Sequence, residues 1–312
     1  MALVDLLVDL ALVVVAVVAL WGGATQFVSG AGRVARRLRV PGLVVGLTVV
    51  AFGTSAPEFA VTLDAAVLGR SDISVGNVVG SNVLNLGAVL GGTALLRALP
   101  TSRALLRRDA TALVGTTVLV FVFLRDLRLA RLEGGVLLVL LGLYLAVLVR
   151  AGSDRVRADE REPGSFGRSD LVRLVGGLAV VVAGAHVLVL AATDLARDAG
   201  VSEWLIGTTV VAAGTSMPEF ATSVAAVRRR RAGLSAGNLV GSCLFNFLGV
   251  LGVAAVASPL AVARSAIGSM TWLLGLVVVA TVLLWSGGVL SRLEGGVLVA
   301  LNALAWTFDV LA

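Results

Sequence analysis

Three blocks of this sequence recur at a single offset of 161 residues, and no other feature constrains the fold as strongly. Residues 46–60 (GLTVVAFGTSAPEFA) align with 207–221 (GTTVVAAGTSMPEFA) at 12 of 15 positions. Residues 76–91 (GNVVGSNVLNLGAVLG) align with 237–252 (GNLVGSCLFNFLGVLG) at 9 of 16. RLEGGVL at 131–137 returns unchanged at 292–298. Three blocks in register, with no gap between them, mark an internal duplication.

What is duplicated is a set of apolar segments. Ten can be read, at about 8–30, 42–68, 73–96, 109–124, 132–149, 172–195, 203–227, 235–257, 267–285 and 294–311. Most approach the ~20 residues that span a bilayer as a helix. Composition agrees: 58% of residues are hydrophobic and 14% charged, with a mean hydropathy of +1.01. A soluble domain has about 45–50% apolar and about 25% charged residues. A membrane β-barrel would need ~10-residue stretches of alternating polarity, and none appear. The expected fold is therefore an all-α polytopic membrane protein of ten transmembrane helices. Residues 1–150 form one five-helix repeat and 171–312 the other, joined by a short charged linker at 151–170 that contains Pro163, Gly164 and Gly167. Five crossings per copy bring the second copy in from the opposite side. The repeats are then inverted in topology, an arrangement in which transporters place ions at mid-membrane, between the repeats.

All 25 basic residues are arginine, and they are unevenly shared between alternate loops. One side collects 19, among them Arg33, Arg97, Arg150, Arg228 to Arg231 and Arg292. The other side has 6: Arg70, Arg125, Arg128, Arg131, Arg197 and Arg264. The positive-inside rule puts the richer side in the cytoplasm and both termini outside, as in a multi-pass plasma-membrane protein. The basic balance is thus read as topology, and no nucleic-acid partner is expected. The sole cysteine, Cys243, has no intramolecular disulfide partner. The opening MALVDLLVDL carries Asp5 and Asp9 and no basic stretch, so a cleaved signal peptide is not expected.

The repeated blocks hold polar residues that packing alone does not need. Glu58 and Glu219 lie deep in apolar segments, where a carboxylate costs at least a few kcal/mol and marks function by default. Pro57 and Pro218 lack an amide hydrogen, so the carbonyls of Gly53 and Gly214 lose their helical partners. Thr54, Ser55, Thr215 and Ser216 add hydroxyls beside them. In the second block, Ser81 and Asn85 share a helix face, as do Ser242 and Asn246. Gly76 with Gly80, and Gly237 with Gly241, read as close-packing pairs. Together these residues offer two carboxylates, hydroxyls, amides and carbonyls, with no repeated His or Cys. All-oxygen chemistry of this kind suits hard cations, and Ca²⁺ better than Mg²⁺. The same carboxylates could instead hold several Na⁺ or be neutralised by protons.

These two motifs, G-T-S-x-P-E and G-N-x-x-G-S-x-x-x-N, resemble the paired alpha repeats of the sodium/calcium exchanger family, within the cation/calcium antiporter superfamily. The short prokaryotic members are the nearer likeness, since the large regulatory loop of animal members has no room here. The resemblance implies Na⁺/Ca²⁺ antiport by alternating access, with inorganic cations and the lipid bilayer as the only partners and no cofactor. It implies that Glu58, Thr54, Ser55, Ser81 and Asn85 surround the ions, with Glu219, Thr215, Ser216, Ser242 and Asn246 opposite. The carbonyls of Ala51 and Ala212 are implied as further ligands. Many members carry Asp at one of the positions held here by Asn85 and Asn246, so this chain offers two carboxylates where those offer three.

Other readings remain open. A proton-coupled or K⁺-linked antiporter fits the same fold, although related calcium/proton exchangers usually place an acid just after the G-N pair, where this chain has Val-Val-Gly or Leu-Val-Gly. A cation channel is disfavoured by the inverted repeat. An intramembrane hydrolase using Ser55 or Ser216 lacks a base at catalytic spacing, and an enzyme is not expected. His186, the only histidine, reads as an interhelical hydrogen-bonding group before a proton relay. Glu133 and Glu294 in RLEGGVL read as helix-start residues that favour the dipole.

Overall fold

The computed structural model describes residues 3–37, 54–101, 105–153, 167–228, 232–286 and 288–311. Helices dominate: α1 (Leu3–Arg37), α2 (Ala56–Val67), α3 (Ser71–Leu96), α4 (105–123), α5 (Arg131–Ser153), α6 (Arg168–Ala199), α7 (Glu203–Thr215), α8 (Met217–Arg228), α9 (232–257), α10 (Ser265–Trp285) and α11 (Arg292–Leu311). Among the described residues, α1, α3, α5, α6, α9 and α10 are long and apolar enough to cross a membrane. The pair α7 and α8 makes a further candidate span, bent by 43°. Of the second expected segment, α2 is the part described; residues 38–53 lie outside.

Several helices start earlier or end later than the apolar runs. The fourth, expected from 109, begins at Leu105, with a π-helical turn over Leu105–Ala110. Asp109 is buried there, and Arg108 Nε and Nη2 reach its carboxylate at 2.6 and 3.0 Å while Tyr144 Oη donates at 3.0 Å. A charge pair satisfied in this way does not stop a helix, so charge alone is a poor guide to the boundary. α5 likewise runs on to Ser153, and α6 begins at Arg168 with the Asp170 carboxylate accepting from the Gly167 amide at 3.1 Å.

The centre of the molecule is α3 and α9. Their most apolar windows are 83% and 78% buried, against 28% for α1 and 17% for α5. Each carries a π-helical turn at the same place in its repeat, Asn85–Leu90 and Asn246–Leu251. One apolar core joins α3, α4 and α5 to α9, α10 and α11; a second lies between α1, α6, α2 and α7. α1 packs along α6 closely enough that a Cβ on Gly177 would stand 2.5 Å from the Phe27 amide nitrogen. The outer faces of this pair expose Val14, Val18, Trp21, Val172, Val175 and Val182, a surface suited to lipid.

The duplication is visible in reciprocal contacts. Strand β1 (Leu99–Pro100) pairs antiparallel with β4 (Val289–Leu290), and β2 (Arg128–Leu129) with β3 (Leu260–Ala261). Leu99 faces Leu290, and Leu129 faces Leu260, the same register with the halves exchanged. The flanking bonds follow: Thr101 N–H donates to Gly288 O, and Val262 N–H to Leu127 O, both at 2.9 Å. The chain turns through the left-handed region at Leu127 (φ 64°) and at Gly288 (φ 68°). Glycine suits this conformation, whereas leucine holds it at a cost of about 1 kcal/mol.

RLEGGVL also gains an explanation. Glu133 Oε2 accepts from the Ala130 amide and Glu294 Oε2 from the Ser291 amide, each at 2.7 Å, so both glutamates cap their helices as expected. The glycine that follows each glutamate is a point of backbone contact. A Cβ on Gly134 would stand 2.8 Å from Gly252 O, and one on Gly295 2.6 Å from Gly91 O.

Candidate ion site

The site begins with two breaks in the helical backbone. Ser55 (φ −86°, ψ 11°) precedes α2, and Ser216 (φ −81°, ψ 5°) separates α7 from α8. Pro57 and Pro218 fall in the first turn of the restarted helix, where a missing amide hydrogen is harmless and the fixed φ is favourable. Glu58 and Glu219 are therefore first-turn acids, placed where the unpaired amides of a helix start favour negative charge.

A serine in front of a helix ordinarily caps its own amides. Here the hydroxyl is diverted to the other half. Ser55 Oγ donates to Glu219 Oε1 at 3.1 Å, and Ser216 Oγ donates to Glu58 Oε1 at 3.1 Å. All four side chains are buried. Two bonds at one distance, exchanged between halves, bring both expected carboxylates and both serines into one centre.

The second oxygen of each carboxylate, Glu58 Oε2 and Glu219 Oε2, is buried without a hydrogen-bond partner. Asn85 Oδ1 and Nδ2, Asn246 Oδ1 and Ser242 Oγ are in the same condition. Leaving one such group unpaired costs about 1–3 kcal/mol, and charged groups cost more. Two buried carboxylates with one unpartnered oxygen each make a centre whose charge calls for a counter-cation. Ser81 Oγ lies 3.4 Å from Thr215 Oγ1, a further contact between halves, and Thr54 is buried. Gly80 lets α3 approach the α7 backbone, where a Cβ would collide with Thr208 O.

Two of the implied carbonyls fare differently. Ala51 lies outside the described residues. Ala212 is buried, but its carbonyl is not one that Pro218 frees: it accepts from Ser216 N–H at 3.0 Å and from Thr215 Oγ1 at 3.3 Å.

Two asparagines that the sequence pattern does not place at the centre belong to it. Asn82 Oδ1 accepts from Asn246 Nδ2 at 3.1 Å, and Asn82 Nδ2 donates to Cys243 O at 3.4 Å, so α3 and α9 are tied together across the two halves. Asn77 joins three segments. Its Nδ2 donates to Thr62 Oγ1 at 3.0 Å and to Glu58 O at 3.4 Å, and its Oδ1 accepts from Thr215 Oγ1 at 3.0 Å. The signal for Asn77 is present in the repeated G-N pair. Asn82 has none, because its counterpart is Cys243. His186, away from this centre, has Nδ1 3.1 Å from Asp64 Oδ2 and bridges α6 to α2, the interhelical contact expected of it.

The donor set is oxygen throughout, with a formal charge of −2 when both carboxylates are ionised. That is the charge of one Ca²⁺ with the sign reversed, and hard cations of this kind are bound by oxygen donors. Among the described residues no cluster of three His, Cys, Asp or Glu occurs.

With this geometry in place, comparison with known proteins is informative. The family model described as sodium/calcium exchanger protein matches residues 8–150 and 169–309. The chain is 30% identical over 319 residues to the sodium/calcium exchanger MaX1 of Methanosarcina acetivorans, covering 88% of this chain and 91% of that one. It is 32% identical over 327 residues to the inner membrane protein YrbG of Escherichia coli, covering 98% and 99%. Its structure matches that of the sodium-calcium exchanger NCX_Mj, soaked with Na⁺ and Sr²⁺, with a TM-score of 0.69 at 29% identity over 97% of this chain and 99% of that one. The chain belongs to the sodium/calcium exchanger family.

Proposed function

We propose that this protein is a secondary active antiporter that exchanges Ca²⁺ for Na⁺ across the plasma membrane by alternating access. The observation that carries this reading is the exchanged pair Ser55–Glu219 and Ser216–Glu58, which leaves one unpartnered oxygen on each buried carboxylate. An ion seated there is held by both halves at once. A relative movement of the halves then changes the side from which it is reached. The ions are substrates: Ca²⁺ neutralises both carboxylates, and several Na⁺ ions do the same in its place, so that one species must leave before the other binds.

In this reading Glu58 and Glu219 are the anionic ligands. Thr54, Ser55, Ser81, Asn85, Thr215, Ser216, Ser242 and Asn246 supply neutral ones, with the carbonyls of Ala51 and Ala212. The chain crosses the membrane ten times as two inverted five-helix repeats, 1–150 and 171–312, joined by a cytoplasmic linker at 151–170, with both termini outside. The strand pairs support the layout, because β1 and β4 follow the third and ninth segments and β2 and β3 the fourth and eighth. Loops assigned to one side are thus the ones that pair.

The direct test is ⁴⁵Ca²⁺ uptake into proteoliposomes under imposed Na⁺, K⁺ or H⁺ gradients. Uptake driven by an outward Na⁺ gradient alone is expected. Uptake indifferent to Na⁺ and driven by H⁺ or K⁺ would overturn the sodium coupling. Cysteines placed at Arg97 and Arg292 are expected to react only from the cytoplasm, and those at Arg128 and Arg264 only from outside.

A further inference from the structure

Asn77 makes three hydrogen bonds, but its repeat counterpart sits in a different state. Asn77 is fully buried and holds Thr62, the Glu58 carbonyl and Thr215 together. At the offset of 161 these positions become Asn238, Ser223, Glu219 and Thr54. Asn238 is only half-buried, and Ser223 Oγ is buried without a hydrogen-bond partner, so the bond equivalent to Asn77–Thr62 is not made. The two halves otherwise mirror one another at the carboxylates and at both strand pairs.

The chemistry of the closed half is specific. A threonine hydroxyl has one proton and two lone pairs, and it serves a cation only if the proton points elsewhere. Asn77 Oδ1 stands 3.0 Å from Thr215 Oγ1, closer than the Ala212 carbonyl at 3.3 Å, so the single hydroxyl proton is drawn toward Asn77 and the oxygen's lone pairs are left for other partners. The Asn77 amide is held in this orientation because its Nδ2 is committed to Thr62 and the Glu58 carbonyl. We propose that Asn77 and Asn238 are alternating positioning residues. Asn77 orients Thr215 as a cation ligand in the conformation described here. Asn238, by closing on Ser223, orients Thr54 in the conformation open to the opposite side. The inference rests on the alternating-access reading, and it assigns the difference between the halves to the difference between the two conformations.

The test measures Na⁺-driven ⁴⁵Ca²⁺ flux in oriented proteoliposomes, with Ca²⁺ presented on either face, and reads the ratio of apparent Ca²⁺ affinities at the two faces. Asn77→Ala weakens the conformation seen here and is expected to move that ratio about fivefold in one direction, the worth of about one neutral hydrogen bond. Asn238→Ala is expected to move it by a similar factor in the opposite direction. A purely structural role would lower the amount of active protein without moving the ratio in opposed senses. Thr62→Val and Ser223→Ala, neither of which touches the proposed ligands, repeat the experiment by the donor side of the same amides and cover the case where an asparagine variant fails to fold. Thr62→Val follows Asn77→Ala, and Ser223→Ala follows Asn238→Ala. A parent protein that shows no Na⁺-driven uptake overturns the exchange reading and this inference with it. A working parent whose variants leave the ratio fixed, or move it in the same direction, overturns the alternation alone.

Discussion

The two halves of the chain agree at the exchanged Ser–Glu bonds and at the strand pairs, and diverge in the amides around them. The exchanged Ser–Glu bonds have the same length, 3.1 Å, and the two strand pairs have the same register. Behind those contacts the chemistry parts company. Thr62 accepts from Asn77, whereas its counterpart Ser223 has an unpartnered hydroxyl; Asn82 has Cys243 as its counterpart; the left-handed turn uses Leu127 in one half and Gly288 in the other. The exchanged Ser–Glu bonds and the strand pairs are each made twice, once from either copy. The asparagine contacts are made once, although they too cross between the halves: Asn77 reaches Thr215, and Asn82 reaches Asn246 and the Cys243 carbonyl, where Cys243 has no amide to offer in return. What is equivalent is therefore the pair of carboxylates with their serines, and what differs is the set of amides that orients the residues around them.

The largest effect should come from breaking the equivalent part. Glu58→Gln and Glu219→Gln each remove one of the two anions at the centre. Each is expected to weaken apparent Ca²⁺ affinity by about 100-fold, near 3 kcal/mol, while the protein still folds. Because the two acids are related by exchange, the two losses should be alike. Near-normal Ca²⁺ flux in either variant would remove the carboxylates from the mechanism. Two losses differing by more than tenfold would show that the centre is less symmetric than its bond lengths.

The repeated glycines offer the next test. An alanine at Gly134 or Gly295 must push backbone away, since its Cβ would meet Gly252 O at 2.8 Å or Gly91 O at 2.6 Å. Overpacking of this kind costs about 2 kcal/mol. At the neighbouring Gly135 a Cβ would have nothing within 4 Å, and at Gly296 it would meet only Leu95 Cδ2 at 3.7 Å. Gly134→Ala and Gly295→Ala should lower thermal stability in detergent. Gly135→Ala and Gly296→Ala should leave it unchanged or raise it slightly, since alanine favours the helix by up to about 1 kcal/mol. Equal melting temperatures across all four variants would refute the close contact.

Much of this is legible in the sequence, and the reason is the period. An offset of 161 residues pairs Glu58 with Glu219, Ser55 with Ser216, and the close-packed Gly91 and Gly134 with Gly252 and Gly295, so these positions are seen twice. Helix ends are less legible, as the start at Leu105 shows, because apolar runs do not reveal that Arg108 and Asp109 cancel. The partners within the centre are not legible at all. Ser55 and Glu219 lie 164 residues apart, and nothing local says that a hydroxyl in capping position will reach across the molecule instead. Asn82 escapes notice because the period itself hides it: a residue without a counterpart looks like divergence, although its amide joins Asn246 to Cys243.

That asymmetry frames the smallest expected effect. Asn85 and Asn246 are counterparts, but they are not held alike. Asn246 Nδ2 donates to Asn82 Oδ1 at 3.1 Å, whereas Asn85 leaves both of its polar side-chain atoms without a hydrogen-bond partner. Aspartate at 246 replaces that donor with an acceptor and sets two oxygens against each other. Aspartate at 85 breaks no such bond. Both variants add the same charge to the same centre, so charge alone cannot separate them. Asn246→Asp should be less stable than Asn85→Asp in Ca²⁺-free buffer by about 1 kcal/mol, the worth of one lost hydrogen bond. The sign of the pH dependence follows from the proton. A protonated carboxyl can donate to Asn82 as the amide does, and the ionised form cannot. The gap between the two variants should therefore be present at high pH and close as pH falls through the titration of the new acid. Thermal unfolding of both proteins across pH 5 to 9, an interval of about four units around neutrality, decides the matter. A constant gap would mean that the bond to Asn82 is not what distinguishes the two positions.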